Sequence, residues 1–322
     1  MSHDYLWDRS GPPDPEIEEL ERRLSPLRYR PRPAQVATPP ARVPVWKWAL
    51  AASVLAAFGG WQLSIQPEGP STAWQVSQAS GTSRLGNRDA AVAMTVRAGQ
   101  VVRTGRDSGL TLTAENVGFL DVGPESELRA AADERIRLQR GQLHAYIWAK
   151  PGRFVVDTPS VRAVDLGCEY TLTLNEAGNG LIRVQTGWVA FQFGGRESFI
   201  PAGAACATRK GRGPDLPYFE DASEGFRHAV DAYAGGDARA LPEVLAAARQ
   251  RDGLTLWHLM GRVPAAERGA VFDRFAQLTN LPDTVSRASV LAGDAQAMDQ
   301  CWDALQLGNV GWWRSWRQQW RP

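Results

Sequence analysis

Between Ala73 and Tyr218 the apolar residues fall at alternate positions, a period that restricts this stretch to β-strands. Leu110–Thr113, Val117–Val122, Arg135–Leu138 and Leu143–Trp148 are short alternating runs broken by Gly, Pro and Asn. In the run 164–174, Val164, Leu166, Cys168, Tyr170, Leu172 and Leu174 share one face, and Thr171, Thr173 and Asn175 point away. The next run, Leu181 to Phe191, turns at Thr186 and Gly187. Strands at this spacing, with no long helix between them, predict an all-β domain over 73–218, either a sandwich or a β-solenoid.

The flanks follow other periods. From Trp48 to Ile65 no residue is charged, and the stretch 46–65 is long enough for one transmembrane helix. Trp46, Trp48 and Trp61 would sit at the interfaces. Arg28, Arg30, Arg32, Arg42 and Lys47 precede it with no acid among them, whereas Glu68 and Arg84 are the charges that follow up to Leu85. The positive-inside rule then predicts a single-pass protein with a cytoplasmic N-terminus and the larger C-terminal part across the membrane. The overall balance of 36 Lys+Arg against 35 Asp+Glu gives no field for holding nucleic acid directly.

Ahead of that span, Asp14, Pro15 and the acids Glu16, Glu18 and Glu19 read as a helix start. Ile17, Leu20, Leu24 and Leu27 form its apolar stripe, and Tyr5, Leu6 and Trp7 supply an aromatic cluster upstream. Residues 1–30 are thus a short cytoplasmic helical segment that could dock its stripe in a partner's groove, followed by a Pro-rich linker over 31–45. After the β region, 219–307 reads as an all-α region with helices near 223–234, 238–251, 264–279 and 294–306, and with Asp237 and Asp294 as N-caps. The tail 308–322 places Trp312, Trp316 and Trp320 on one helical face beside Arg314, Arg317 and Arg321. Such a helix either packs on the helical region or lies on an anionic membrane surface.

Four segments in order carry a resemblance: TGRDSGLTLTAENVGFLDVGPESELR (104–129), RIRLQRGQLHAYI (135–147), PGRFVVDTPSVRAVDLGCEYTLTL (151–174) and GLIRVQTGWVAF (180–191). Together they resemble the FecR domain, with Cys168 where that family commonly has Thr. The resemblance implies a single-pass regulator of anti-sigma-factor type in a bacterial inner membrane, with its C-terminal domains in the periplasm. Its cytoplasmic segment would hold an extracytoplasmic-function sigma factor through Tyr5, Leu6, Trp7, Ile17, Leu20, Leu24 and Leu27, and its FecR-like domain would sense an envelope signal or partner. The alternative is an envelope structural or ligand-binding module, its β domain binding glycan or another protein, with no sigma-factor partner.

No catalytic fingerprint stands out. His3, His144, His228 and His258 are scattered, and no zincin, nucleophile-elbow, P-loop or dinucleotide motif is present. Gly194 and Gly195 lack the strand-to-helix setting of a phosphate loop, and Asp157 and Asp165 read as solvated or capping carboxylates. The sequence therefore predicts no enzyme, cofactor or metal. With the expected topology all three cysteines lie where disulfides persist. Cys168 and Cys206 are then either bridged or two buried thiols, with Cys301 unpaired.

Overall fold

The computed structural model describes residues 73–131 and 134–308, together with Glu19, Arg22 and Arg23. The chain divides into two compact units, 1–67 and 68–322. In the first, the three described residues are helical, and Glu19 pairs with Arg22 and Arg23 at 3.3 and 3.1 Å.

The second unit begins with strands, in chain order: β1 (Trp74–Ser80), β2 (Ser83–Leu85), β3 (Arg88–Asp89), β4 (Thr95–Val96), β5 (Val101–Thr104), β6 (Gly109–Ala114), β7 (Gly118–Val122), β8 (Glu127–Ala130) and β9 (Arg135–Ile147). They continue as β10 (Val155–Asp157), β11 (Arg162–Asp165), β12 (Glu169–Leu174), β13 (Gly180–Thr186), β14 (Trp188–Phe193), β15 (Arg196–Pro201), β16 (Ala204–Arg209), β17 (Gly213–Pro214) and β18 (Tyr218–Phe219). They form a front sheet ordered β4-β1-β6-β7-β9-β12-β13-β16, with β17 and β18 on the outer side of β16. The back sheet runs β3-β2-β5-β8-β9-β10-β11-β14-β15 and is antiparallel except where β9 and β10 run parallel.

β9 belongs to both sheets. Its first half pairs with β8 and β10 behind, and its second half with β7 and β12 in front. Gly141 makes the crossing at φ +95°, where a Cβ would collide with Ser126. Alternate residues meet between the sheets: Leu112, Leu120, Ala145, Leu172 and Ile182 from the front, and Val102, Leu128, Ile136, Val156 and Phe191 from behind, all fully buried. Removing that apolar surface from water, at ~25 cal/mol per Å², is what holds the sandwich closed.

The path through the sandwich is used twice. From β5 the chain goes back, front, front, back, back, front to the second half of β9, and from β11 to β16 it repeats the same route. Gly105, Gly118 and Gly141 recur at the same points as Gly167, Gly180 and Gly203.

Among the described residues six α-helices follow: α1 (Glu224–Gly235), α2 (Leu241–Ala247), α3 (Gly253–Met260), α4 (Ala265–Leu278), α5 (Arg287–Leu291) and α6 (Ala295–Ala304). Ser223, Ser286 and Asp294 cap α1, α5 and α6 through their side-chain oxygens, and Asp237 does so for the 3-10 turn at 238–240. The helices are continuous with the sandwich core. Phe199 of β15 meets Trp302 of α6 edge-on at 5.2 Å, Thr255 bonds the Pro217 carbonyl at 2.7 Å, and His258 Nε2 accepts the Phe199 N–H at 3.0 Å. Just past α3, the half-buried Arg262 donates to the Pro214, Asp215 and Glu197 carbonyls and to Ser198 Oγ, at 2.7–3.2 Å.

Two expectations are corrected and one alternative is decided. First, no helix among the described residues is long and apolar enough to cross a membrane. The longest, α4, has 14 residues. At ~1.5 Å per residue it covers about 21 Å of a ~30 Å hydrocarbon layer. The transmembrane helix expected over 46–65, and with it the single-pass inner-membrane placement, has no such helix to rest on. Residues 46–65 themselves lie outside the described residues. Second, the run 164–174 is not one strand: it breaks at 166–168, where Gly167 at φ +86° carries the chain from the back sheet to the front. Third, Cys168 and Cys206 are separate buried thiols. Cys206 lies opposite Ile182, which lies opposite Leu172, four positions along β12 from Cys168. At ~3.3 Å per residue the two are about 13 Å apart along the strands alone, beyond the ~7 Å a disulfide bridges.

Candidate functional site

The outer face of the front sheet is a surface of outward-pointing residues from β6, β7, β9 and β12, and register sets their order. One cross-strand row reads Thr113, Phe119, Tyr146, Glu169; the next reads Thr111, Asp121, His144, Thr171, Arg183. Alternation along each strand puts these residues outside, because Leu112, Leu120, Ala145 and Leu172 between them fill the core.

The first row is aromatic. Phe119 stacks on Tyr146 with centroids 5.3 Å apart and planes 10° apart, and Trp148 stands edge-on to both at 6.4 and 6.0 Å. Tyr146 and Trp148 are nevertheless 44% and 49% exposed. The Trp148 indole is fixed by its Nε1–H to the Glu115 carbonyl at 2.8 Å, so its orientation is set before any ligand arrives. At Gly118, β7 passes so close to the Tyr146 carbonyl that a Cβ would not fit, which brings the Phe119 and Tyr146 strands tightly together.

The second row is polar. His144 lies between two carboxylates, with Nε2 3.1 Å from Glu169 Oε1 and Nδ1 3.5 Å from Asp121 Oδ2. Thr111 Oγ1 donates to the other Asp121 oxygen at 2.7 Å, and Gln185 donates to Thr171 Oγ1 at 3.1 Å. The row continues into a groove of about 430 Å³ lined by Gln78, Ser80, Thr111, Asp121, Gln142 and His144. His144 and Asp121 thus belong to both the groove and the ring platform.

The repeated path supplies an internal control for what the fold itself requires. Where the first passage pairs Phe119 with Tyr146 and Asp121 with His144, the second pairs Leu181 with Ala207 and Arg183 with Ala205. The same strand pairing therefore forms with no ring and no carboxylate at these positions, and the aromatic and acid set is additional to it.

Other polar clusters have structural roles. Asp165 is buried, its carboxyl pushed up to about 7 by desolvation, and it accepts from Gly167 N–H at 2.8 Å and from the Cys168 thiol. Burial likewise raises the Cys168 thiol and pushes Cys206 up to about 12, so neither is a ready thiolate. Asp157, by contrast, is tied to Arg135 and Arg162 at 3.2 and 3.1 Å. A second groove of about 580 Å³ on the back sheet is lined in part by Arg129 and Arg140, which are engaged by the Gly99 carbonyl and Glu176. Among the described residues no group of His, Cys, Asp and Glu has the arrangement of a metal site.

The expected partner-binding residues Tyr5, Leu6, Trp7, Ile17, Leu20, Leu24 and Leu27, and the tail from residue 309 on, lie outside the described residues. His144 stands on the face opposite buried Leu143 and Ala145, and the sequence alone does not join it to Asp121, Glu169 or the rings. Alternation alone carried a signal for that: Phe119 and Asp121, His144 and Tyr146 each occupy the polar phase of their strands.

No family model matches the chain, and no curated protein matches it. Among solved structures it resembles two crystal structures of a candidate anti-sigma factor from Parabacteroides distasonis, each at 16% identity. One alignment covers 42% of this chain and 65% of the other with a TM-score of 0.32, and the second covers 42% and 64% with a TM-score of 0.33. The chain therefore spans less than two thirds of either neighbour, and the likeness is confined to part of the fold.

Proposed function

We propose that this chain is a regulator of anti-sigma-factor type whose β-sandwich reads a signal on the outer face of its front sheet. The observation that carries the reading is where the FecR-like residues lie: 104–129, 135–147, 151–174 and 180–191 form a consecutive run of strands, β6 to β14, and the aromatic and carboxylate face is built from that run. The sensing surface and the resemblance thus coincide. Residues 1–30 would hold the sigma factor through the apolar stripe Ile17, Leu20, Leu24 and Leu27.

Co-purification of the full chain with sigma factors from its source cell tests this. A sigma factor recovered with the wild type and lost with Leu20→Asp is the expected result. Recovery of none, or equal recovery by both, would overturn the regulatory reading. The open face by itself also suits a plain binding module, and a truncation lacking residues 1–27 that kept full cellular activity would favour that second reading.

A further inference from the structure

The geometry points to a neutral oligosaccharide as the ligand of the front face, held on Phe119, Tyr146 and Trp148 and hydrogen-bonded by Asp121, His144 and Glu169. This deepens the sensing role proposed above and rests on that reading.

Each part of the face corresponds to a part of a sugar chain. A pyranose has an apolar C–H face and a rim of hydroxyls, and needs a flat ring surface beside hydrogen-bonding groups. Tyr146 and Trp148 offer half-exposed ring surface in fixed orientation, and placing apolar area on it is favourable. Within one residue of the rings lie two carboxylates that keep acceptor capacity after their bonds to His144 and Thr111, with side chains 49% (Asp121) and 30% (Glu169) exposed. A pair of adjacent hydroxyls can donate to one such carboxylate, a charge-assisted bond. Gln142, Thr113 and Thr173 extend the polar supply along the same strands. From β6 to β12 the face crosses three interstrand gaps, about 14 Å at ~4.8 Å each, so it accommodates a short chain rather than one ring.

Charge and topology narrow the partner. The two rows carry two carboxylates, and their one guanidinium, Arg183, is already paired with Glu220 at 2.6 Å. An anionic ligand such as nucleic acid or a phosphorylated group would meet repulsion, whereas a hydroxyl-rich neutral ligand is complementary to acceptors. β6, β7, β9 and β12 are each paired on both sides, so no free edge is offered here to an added peptide strand. The rows also mix a polar group with nearly every ring, unlike the dry centre of a protein interface.

The test is calorimetric titration of the full chain with chitotetraose and with cellotetraose. Binding of at least one at millimolar concentration or better is expected. Trp148→Ala should weaken it about tenfold or more, and Trp148→Phe should restore part of it, with unchanged unfolding midpoints certifying both folds. Glu169→Gln should weaken it less, since the amide still offers an acceptor. Failure of both tetrasaccharides to bind, or equal binding by Trp148→Ala, would overturn the assignment. A Trp148-dependent interaction with a lysine–tryptophan peptide and no saccharide binding would overturn it as well, in favour of a cationic partner. Sigma-factor recovery measured on the same preparations separates the two ideas: loss of saccharide binding with recovery intact defeats only the ligand assignment, and binding without recovery defeats only the regulatory reading.

Discussion

On the back of the sandwich Phe199 of β15 lies edge-on to Trp302 of α6 at 5.2 Å, and Trp302 to Trp257 of α3 at 5.1 Å, with all three side chains buried where the helices meet the sheet. On the front Phe119, Tyr146 and Trp148 touch one another at similar distances, yet Tyr146 and Trp148 remain 44% and 49% exposed. The chemistry of the rings is the same and the difference lies in what covers them. Behind, the helices remove the rings from water and the gain is stability. In front, that free energy is left unclaimed by folding and remains for a ligand.

The strongest way to break this comparison is Trp302→Ala. Removing a fully buried tryptophan should cost about 4 kcal/mol of unfolding free energy, read from a denaturant midpoint. A loss no larger than that of an exposed ring would mean the helices do not seal the back face. Next comes Arg262→Met. Burial lowers this guanidinium to about 10, so it stays charged at neutral pH, and it satisfies three carbonyls and a hydroxyl at the junction of helices and strands. Leaving those acceptors bare should cost about 3 kcal/mol, with near-ultraviolet circular dichroism of the buried tryptophans changing first.

Two buried groups sharpen the account through pH. Asp165 titrates near 7 when folded, above its ordinary 3.8, so it binds protons more tightly folded than unfolded and stability falls as pH rises from about 4 to 7. His258 works in the other direction. Burial, the neighbouring Arg262 charge and the Phe199 N–H that its Nε2 accepts keep it neutral down to about 3, against an ordinary 6.5, so stability rises over about pH 3 to 6.5. The two slopes oppose each other. Asp165→Asn should remove the first and stabilise the protein at pH 8 by on the order of 2 kcal/mol, leaving a profile that only climbs from pH 4 to 6.5. An unchanged profile would show that Asp165 is not desolvated in solution. Smallest is Trp148→Ala, which should cost less than about 1 kcal/mol, the scale of one cross-strand contact. A loss as large as that of Trp302→Ala would show that the front rings serve folding.

How much of this was legible in the sequence differs by element. The period of two between Ala73 and Tyr218 reports pleating directly, and the pattern through Tyr170, Leu172 and Leu174 identified the buried phase of β12. The break before it was not legible, because Leu166 and Cys168 continue the apolar alternation while Gly167 turns the chain between sheets. Nor was the double passage: its copies share glycines and a Leu-Thr-Leu-Thr or Tyr-Thr-Leu-Thr strand and little else. Helix α3 was missed because all eight of its residues are buried, which erases the 3.6-residue stripe that betrays a half-buried helix. The candidate site was half visible. His144 was on the right face, but only strand register sets it between Asp121 and Glu169, and register is a long-range property.

Whether the front rings are a binding surface is tested most directly by amide and indole chemical-shift mapping of the full chain titrated with chitotetraose. Shifts concentrated at Phe119, Asp121, His144, Tyr146, the Trp148 indole and Glu169, saturating together, are expected. Shifts confined to the back sheet or the helices, or none at millimolar saccharide, would contradict the division of labour between the two faces.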